Sequence, residues 1–178
     1  KTAYEIYQCD WSSDVCSSDL HFKFDSQEAR AYFPYEQVKN GVLATTAKLF
    51  SIDYKEVNDT KAWHDSVDIY DVYEEGQKIG RIYLDMHPRE GKYKHAAQFT
   101  IKSGLNNRQY PEGALVCNFP SPSEKDKYAL MEHDQVVTFF HEFGHLLHHI
   151  FAGKQDWMSF SGVATEWDFV EAPSQFLE

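Results

Sequence analysis

The sequence predicts an α+β fold that is mainly helical, and three observations lead to this class. Apolar residues recur at helical spacing in the first part of the chain, through about Phe50. Short alternating or wholly apolar segments, divided by turn residues, fill the middle. Helical spacing returns in the last third. Because the strands are grouped rather than alternating with helices, we expect helices, then a small meandering β-sheet, then two long helices.

The first predicted elements are helical. Residues 25–31 are expected to form a short helical turn. Pro34 suits the first position of the next helix, where its missing N–H breaks no hydrogen bond. Apolar side chains at helical spacing extend this helix to about Phe50, and residues 54–57 are expected to be extended.

The middle of the chain predicts strands. Residues 67–72 (VDIYDV) and 79–86 (IGRIYLDM) alternate in polarity, and the Glu-Glu-Gly-Gln turn between them predicts a β-hairpin. Residues 96–101 predict a further strand, followed by a turn at 104–107. Residues 114–119 (ALVCNF) are apolar enough to form a buried strand.

The last third predicts two helices. Asp134 is the expected N-cap of a long helix that ends near Ala152, with Gly153 as its stop. Residues 167–177 predict a second helix, although Pro173 is unfavourable inside one.

The sequence HEFGH at 141–145 carries the clearest chemical signal. His141 and His145 are four residues apart on a helix, so both imidazoles project from one face toward one ion. Glu142 lies beside them and can act as general base on a zinc-bound water without binding the ion. The motif predicts the core of an HExxH zinc metallopeptidase, or zincin, with one Zn²⁺. A catalytic zinc has three protein ligands and one open position, so a third ligand must follow.

Spacing alone leaves the third ligand open. The metzincin pattern requires Gly at 148 and His at 151, but the chain has His148 and Phe151, so that subclass is excluded. The other large class takes a glutamate from a second helix. Glu171 lies on such a predicted helix, and spacing prefers it only weakly over Glu166 and Glu178.

Two longer segments then resemble a known family. HEFGHLLHHIF (141–151) and SGVATEWDFVEAPSQFLE (161–178) are similar to the thimet oligopeptidase family of zinc metallopeptidases. The similarity continues upstream through GRIYLDMHPREGKYKHAAQFTI (80–101), and it covers about residues 21–178. In that family the glutamate of the DFVE-x-PSQ segment is the third zinc ligand, and it corresponds to Glu171.

The resemblance implies a two-lobed fold with a deep channel, and a peptidase that cleaves short peptides. It also implies that several groups which orient the substrate and stabilise the transition state lie downstream of this segment. We therefore interpret residues 21–178 as a partial catalytic domain, truncated at both ends, and expect it to be weakly active or inactive alone. The alternatives are a catalytically dead zinc-binding relative, which the intact motif residues disfavour, and a non-proteolytic zinc hydrolase, which the DFVEAPSQ segment disfavours.

Residues 1–20 are interpreted as foreign to the natural protein. DWSSDVCSSDL (10–20) resembles the conceptual translation of a common sequencing-library adapter, and KTAYEI (1–6) resembles its upstream part in the same frame. Such segments are excluded from fold reasoning. Cys117 is then the one remaining cysteine, which fits a reducing compartment rather than a disulfide framework.

The charge balance limits the partners. A formal net charge of −11 argues against nucleic acid or an anionic membrane, since both bind basic surfaces. No apolar run is long enough to cross a bilayer. We therefore expect a soluble cytoplasmic protein that acts on short peptides, with a monomer as the favoured state.

The remaining chemically capable side chains are mostly given structural roles. They are His148 and His149 (packing or solvent rather than zinc), His95 (structural rather than facing a cleft), Gly144 (close helix packing), Arg89 and Lys92 (a solvated loop rather than steering of a substrate carboxylate) and Cys117 (core rather than redox). Metal-bound imidazoles donate their other N–H to an acceptor. The open candidates for that acceptor are Asp168, Ser174, Gln175 and Glu178.

Overall fold

Five strands form one mixed sheet, in the order β1-β2-β3-β5-β4, in the computed structural model, which describes residues 26–123 and 127–178. The strands are β1 (Ile52–Glu56), β2 (Val67–Glu74), β3 (Gln77–Asp85), β4 (Ala97–Lys102) and β5 (Glu112–Val116). The described residues contain more helix than strand, which confirms the α+β class. The segment 1–20, interpreted above as foreign, lies outside the described residues.

The predicted meandering strand order is wrong at β5. This strand inserts between β3 and β4, parallel to β3 and antiparallel to β4. Ala114 and Leu115 of β5 are buried on opposite faces of the sheet, as a central strand requires. β4 carries polar Gln98, Thr100 and Lys102 between its apolar residues and lies at the edge. The position of β5 in the sheet is therefore set by the need to bury both of its faces, and not by its place in the sequence.

The hairpin of β2 and β3 confirms the prediction. Glu75 and Gly76 both have positive φ, at 50° and 77°, as a type I′ turn requires. Glu74 pairs with Gln77 on either side of this turn. The hairpin leaves Asp85 at the far end of β3, where the chain turns into the loop that leads to β4.

The described helices are α1 (Ser26–Ala29), α2 (Tyr35–Phe50), α3 (His133–Phe151) and α4 (Ala172–Leu177). Short 3₁₀ turns follow α1 and precede the last loop, at Arg30–Tyr32 and Met158–Phe160. The predicted first turn and the helix to Phe50 are confirmed, with Pro34 as N-cap one residue before the helix. No described helix is both long and apolar enough to span a membrane.

The beginning of α3 corrects the predicted cap. Glu132, not Asp134, is the N-cap, and it forms a capping box with Gln135. The Gln135 side chain accepts the backbone N–H of Glu132 at 2.9 Å, so two otherwise unpaired donors are satisfied reciprocally. The end of the helix is as predicted, with Ala152 as its C-cap.

The predicted long helix over 167–177 is wrong. Residues 167–171 form turns, and α4 begins only at Ala172. Pro173 explains the difference, because proline is tolerated in the first turn of a helix and disrupts its interior. Glu171 consequently lies just before α4, as its N-cap residue.

One hydrophobic core joins α3 to the sheet. Phe143, Leu146 and Ile150 of α3 are buried against Ile82 and Leu115 of the central strands. Burying each such side chain contributes about 1.5–3 kcal/mol. The sheet therefore fixes the orientation of α3 and, with it, the face that carries the histidine pair.

Candidate metal centre

Helix α3 presents His141 and His145 on the face turned away from the sheet core. Their ring centroids are 5.0 Å apart and their planes meet at 81°. Both rings are half-buried, with 26% and 13% of their side chains exposed. The spacing of four residues thus places two imidazole nitrogens at one partly sheltered point, as predicted.

Glu171 joins this pair. Its Oε2 lies 3.2 Å from Nε2 of His141 and 3.1 Å from Nε2 of His145. One possible ligand atom from each of the three residues lies within 4.8 Å of the other two. Among the described residues, no other group of three or more His, Cys, Asp or Glu side chains has this arrangement. The competitor Glu166 is exposed and lies directly before the turn of residues 167–171.

The donor set and its spacing fit zinc. Two neutral imidazoles and one carboxylate are a common ligand set of catalytic zinc sites. With metal–ligand bonds of about 2.0–2.1 Å, tetrahedral geometry separates ligand atoms by roughly 3.3 Å. The two nitrogen–oxygen distances to Glu171 are close to that value. His145 contributes to the fit because burial lowers its pKa and so favours the neutral imidazole.

Gly144 allows Glu171 to reach the histidines. A Cβ at Gly144 would lie 2.7 Å from both the carbonyl oxygen of Pro173 and the Cα of Ser174. The start of α4 therefore lies directly against α3, which confirms the predicted role in close packing. The buried Ser174 hydroxyl is 2.8 Å from Oε2 of Glu171 and 2.9 Å from its carbonyl oxygen, so it orients the carboxylate.

The open question of the imidazole acceptor is answered for His141. Its Nδ1 donates to Oε1 of Glu178 at 2.5 Å. Ser174 contacts Glu171 instead, and Asp168 is exposed. Glu178 is therefore the acceptor among the four candidates that the sequence left open.

Glu142 is half-buried beside the cluster. Burial raises its pKa, the positive field of His141 lowers it, the carboxylate of Glu171 raises it, and a backbone hydrogen bond from Gln98 lowers it. The net effect is a raised pKa. A carboxyl group with a raised pKa accepts and releases a proton more readily near neutral pH.

His148 and His149 stand apart from the cluster, as predicted. His149 is fully buried, and its Nε2 donates to the carbonyl oxygens of Lys102 and Glu112 at 3.1 Å each. It thereby ties α3 to the ends of β4 and β5. His148 is half-buried, with its ring centroid 6.4 Å from that of Phe169.

The interpretation of Arg89 and Lys92 as a solvated loop is wrong. The Lys92 side chain is only 3% exposed, and Arg89 forms a bidentate pair with Asp85 at 2.6 and 2.7 Å. Neither cation is free to steer a substrate carboxylate. The missed signal is Asp85, a carboxylate that directly follows three apolar residues at the end of a strand.

Of two further assignments, the core role of Cys117 is confirmed and the structural role of His95 stays a prediction. Cys117 is free and fully buried, and burial raises the pKa of its thiol, so it is a core residue as predicted. His95 is exposed, and its ring centroid is 5.5 Å from that of Tyr93.

Comparison with known proteins relates this chain to one class of enzymes. The profile of peptidase family M3 matches residues 3–178. The chain is 42% identical over 171 residues to saccharolysin of Saccharomyces cerevisiae, a match that covers 89% of this chain and 24% of the relative. It is 38% identical over 164 residues to a thimet-like oligopeptidase of Dictyostelium discoideum, covering 88% and 24%. It is 35% identical over 163 residues to oligopeptidase A of Escherichia coli, covering 88% and 24%.

These matches support a peptidase. The chain belongs to peptidase family M3, and the resemblance to thimet oligopeptidase is confirmed. The chain spans about a quarter of the length of the curated relatives that it matches, 24% in each of the three cases above.

Proposed function

We propose that this chain carries the catalytic centre of a zinc-dependent metallo-oligopeptidase, with His141, His145 and Glu171 as the ligands of one Zn²⁺ and Glu142 as general base. The observation that carries the proposal is the approach of one Glu171 oxygen to Nε2 of both histidines, at 3.2 and 3.1 Å. Membership of a peptidase family supports it independently.

The zinc would supply Lewis acidity, which lowers the pKa of a coordinated water toward neutrality and polarises the peptide carbonyl. Glu142 takes the proton of the attacking water and then gives it to the leaving amine.

The neighbouring groups keep the ligands in place. Glu178 accepts a hydrogen bond from Nδ1–H of His141, so Nε2 keeps its lone pair for the metal. Ser174 and the close approach at Gly144 hold the Glu171 carboxylate against α3. Because these contacts already restrict the ligand side chains, less conformational entropy is lost when the ion binds.

Short peptides are the proposed substrates. Two of the relatives named above are called oligopeptidases, and this chain shares about a third or more of its residues with each of them. We place the segment within a larger two-lobed channel fold, in a cytoplasmic monomer, and expect residues 21–178 alone to be weakly active or inactive.

The experiment uses the full-length protein that contains this chain. Glu142→Gln is compared with Glu166→Gln, a change at an exposed glutamate outside the cluster. Zinc is measured by elemental analysis and turnover with an internally quenched peptide. We expect Glu142→Gln to retain one zinc and lose about 10²–10⁴-fold in kcat, the usual contribution of a general base. Glu166→Gln should match the wild type.

Two results would contradict the proposal. One is turnover by the wild-type protein that survives removal of the metal by a chelator. The other is a Glu142→Gln variant that loses zinc but keeps its activity, since Glu142 would then be a ligand and not the base.

A further inference from the structure

Ser174 contacts the carboxylate of Glu171, the third member of the ligand cluster. Its side chain is fully buried. The hydroxyl donates to Oε2 of Glu171 at 2.8 Å and to the backbone carbonyl oxygen of the same residue at 2.9 Å. A hydroxyl has one proton, so these two acceptors share it. Through Ser174, the end of the Glu171 side chain is therefore connected to its own backbone.

The oxygen that Ser174 contacts is also the one that faces the histidines. Oε2 of Glu171 lies 3.2 Å from Nε2 of His141 and 3.1 Å from Nε2 of His145. Two ligand atoms of a tetrahedral zinc ion are about 3.3 Å apart. Because Oε2 is nearly equidistant from both nitrogens at this spacing, it can fill one corner of the tetrahedron by itself. A carboxylate that binds through both oxygens would place them on either side of that corner.

The backbone around Ser174 is fixed against α3. A Cβ at Gly144 would meet the Cα of Ser174 at 2.7 Å, so Ser174 lies directly on the helix that carries both histidines. The carbonyl oxygen of Glu171 also accepts the backbone N–H of Gln175 at 2.9 Å. Both ends of the contact between Ser174 and Glu171 are thus held by backbone, and the position of Oε2 is set relative to α3.

The contact with Ser174 restricts how the carboxylate can turn. A glutamate side chain rotates about several bonds, so a free carboxylate can present one oxygen or both to an ion. Rotation of the Glu171 carboxylate away from Ser174 would break a hydrogen bond at a buried hydroxyl, which is unfavourable. Ser174 therefore favours the orientation in which Oε2 alone faces the histidines.

The number of oxygens that a carboxylate offers affects which ion a site prefers. Catalytic zinc takes few protein ligands and keeps one position open. Mn²⁺ favours octahedral sites that are rich in oxygen ligands. A glutamate limited to one oxygen therefore suits zinc, and a glutamate that can offer both oxygens suits Mn²⁺ better.

We propose that Ser174 fixes Glu171 as a one-oxygen ligand, through Oε2, and that it thereby makes the site more selective for Zn²⁺ over Mn²⁺. This inference rests on the proposed function, in which the cluster binds one Zn²⁺. Ser174 is a positioning residue, because it acts through Glu171. Binding through one oxygen also preserves the open position that a catalytic zinc needs.

The first test compares Ser174→Ala with Ser161→Ala in the full-length protein. Ser161 is also buried, and its hydroxyl oxygen accepts the backbone N–H of Gly104 at 2.8 Å, outside the ligand cluster. Competition with a chromophoric chelator gives the Kd for Zn²⁺ and for Mn²⁺. We expect Ser174→Ala to raise the Kd for Zn²⁺ by about 10-fold, the lower end of the range for groups that hold a ligand. Ser161→Ala should change neither Kd.

The ratio of the two Kd values distinguishes positioning from general damage to the site. Ser174→Ala should raise the Kd for Mn²⁺ less than the Kd for Zn²⁺, because the released carboxylate can offer both oxygens to Mn²⁺. Equal rises for the two ions would overturn the inference, since the variant would then only loosen the site. An unchanged Kd for Zn²⁺ would overturn it as well.

Substitution with Co²⁺ provides a readout that is independent of activity. The visible absorption of Co²⁺ is strong in tetrahedral sites and weakens as further ligands bind. We expect Ser174→Ala to lower this absorption, because Glu171 then adds its second oxygen. A Co²⁺ spectrum identical to that of the wild type would contradict binding through one oxygen as the result of the Ser174 contact.

Ser174→Gly keeps the inference testable if Ser174→Ala does not fold. Glycine also lacks the hydroxyl and adds no atom to the buried site, so the same changes in both Kd values and in the Co²⁺ spectrum are expected. If the wild type binds no zinc, or if Glu171→Gln leaves its zinc affinity unchanged, the proposed function itself has failed. Tight zinc binding by the wild type that does not respond to loss of the Ser174 hydroxyl would confine the failure to this inference.

Discussion

Nδ1 of His141 donates a hydrogen bond to Oε1 of Glu178, while Nε2 of the same ring faces Oε2 of Glu171 at 3.2 Å. One imidazole is thus held between two carboxylates that have different tasks. The Glu178 carboxylate keeps the proton on Nδ1, and the Glu171 carboxylate faces Nε2, the nitrogen that keeps its lone pair. A proton on Nδ1 leaves the Nε2 lone pair free, which is the tautomer that the proposed zinc site requires.

Replacement of Glu178 by glutamine should weaken zinc binding. The amide can still accept the Nδ1 hydrogen bond, but it removes the negative charge that makes the imidazole a better ligand. We expect the Kd for zinc to rise by about 10-fold, the lower end of the range for such partners. Competition with a chromophoric chelator measures this Kd. Glu166→Gln is the control, and equal affinities for the two variants would contradict the assignment.

Gly144→Ala should separate Glu171 from the histidines. The added Cβ would meet backbone atoms of Pro173 and Ser174 at 2.7 Å, so α4 must move away from α3. We expect a loss of about 1–3 kcal/mol in the free energy of unfolding, together with weaker zinc binding.

Gly41→Ala is the matched control for this change. Gly41 lies inside α2 with no atom within 4 Å of the added Cβ. Alanine should stabilise the protein there by about 0.5–1 kcal/mol, because glycine loses more backbone entropy on folding. Urea unfolding of both variants, with zinc titration, checks the pair. If both substitutions have the same effect, close packing at Gly144 is not what places Glu171.

Zinc should raise the midpoint of thermal unfolding (Tm) of the metal-free protein. This rise should depend on His145 but not on His148. A ligand that binds only the folded state contributes about 2.7 kcal/mol at a free concentration of 100 Kd. His145→Asn should abolish the zinc-dependent rise in Tm, and His148→Asn should retain it, although both side chains are half-buried on α3. Calorimetry with and without zinc gives the comparison. A rise that depends on His148 would point to a different ligand set.

Stability should fall in acid because of Asp85. Burial acts to raise the pKa of this carboxyl, but hydrogen bonds from Arg89, Trp63 and Lys92 outweigh it and hold the pKa well below its usual range. A depressed carboxyl pKa contributes stability that is complete above the unfolded-state pKa of about 3.9 and is lost as pH falls toward the lower folded value.

Asp85→Asn removes this contribution and tests its sign. The free energy of unfolding should drop by about 3–5 kcal/mol at neutral pH, since Lys92 is left buried without its partner. Its decline below about pH 4 should be shallower than that of the wild type. Asp53→Asn, at an exposed carboxylate, should retain the wild-type decline. Urea unfolding at several pH values gives the slopes, and a steeper decline for Asp85→Asn would contradict the direction of the shift.

Local patterns predicted the helices α2 and α3, the β2–β3 hairpin and the His141–His145 pair, because each depends on neighbours a few residues away. Glu171 was favoured only weakly by spacing and was identified through resemblance to a family. Its place beside the histidines depends on Gly144, which admits Pro173 against α3, and a contact of this kind has no periodic signal.

Two features escaped prediction for related reasons. The insertion of β5 between β3 and β4 depends on which strand can be buried on both faces, a property of the assembled sheet. Lys92 was interpreted as solvated because charged loop residues usually are, and its four oxygen partners come together only when β3 and β5 lie side by side.

The same strand order has a consequence for folding kinetics. The β2–β3 hairpin can close through local contacts, whereas the parallel pairing of Arg81 with Glu112 must wait for the intervening chain, β4 included, to be looped out. The core face of α3 packs on the strands that this late step brings together. We therefore expect hydrogen exchange during refolding to protect β2 and β3 before β5, with the two histidines reaching their final orientation only after the sheet is complete.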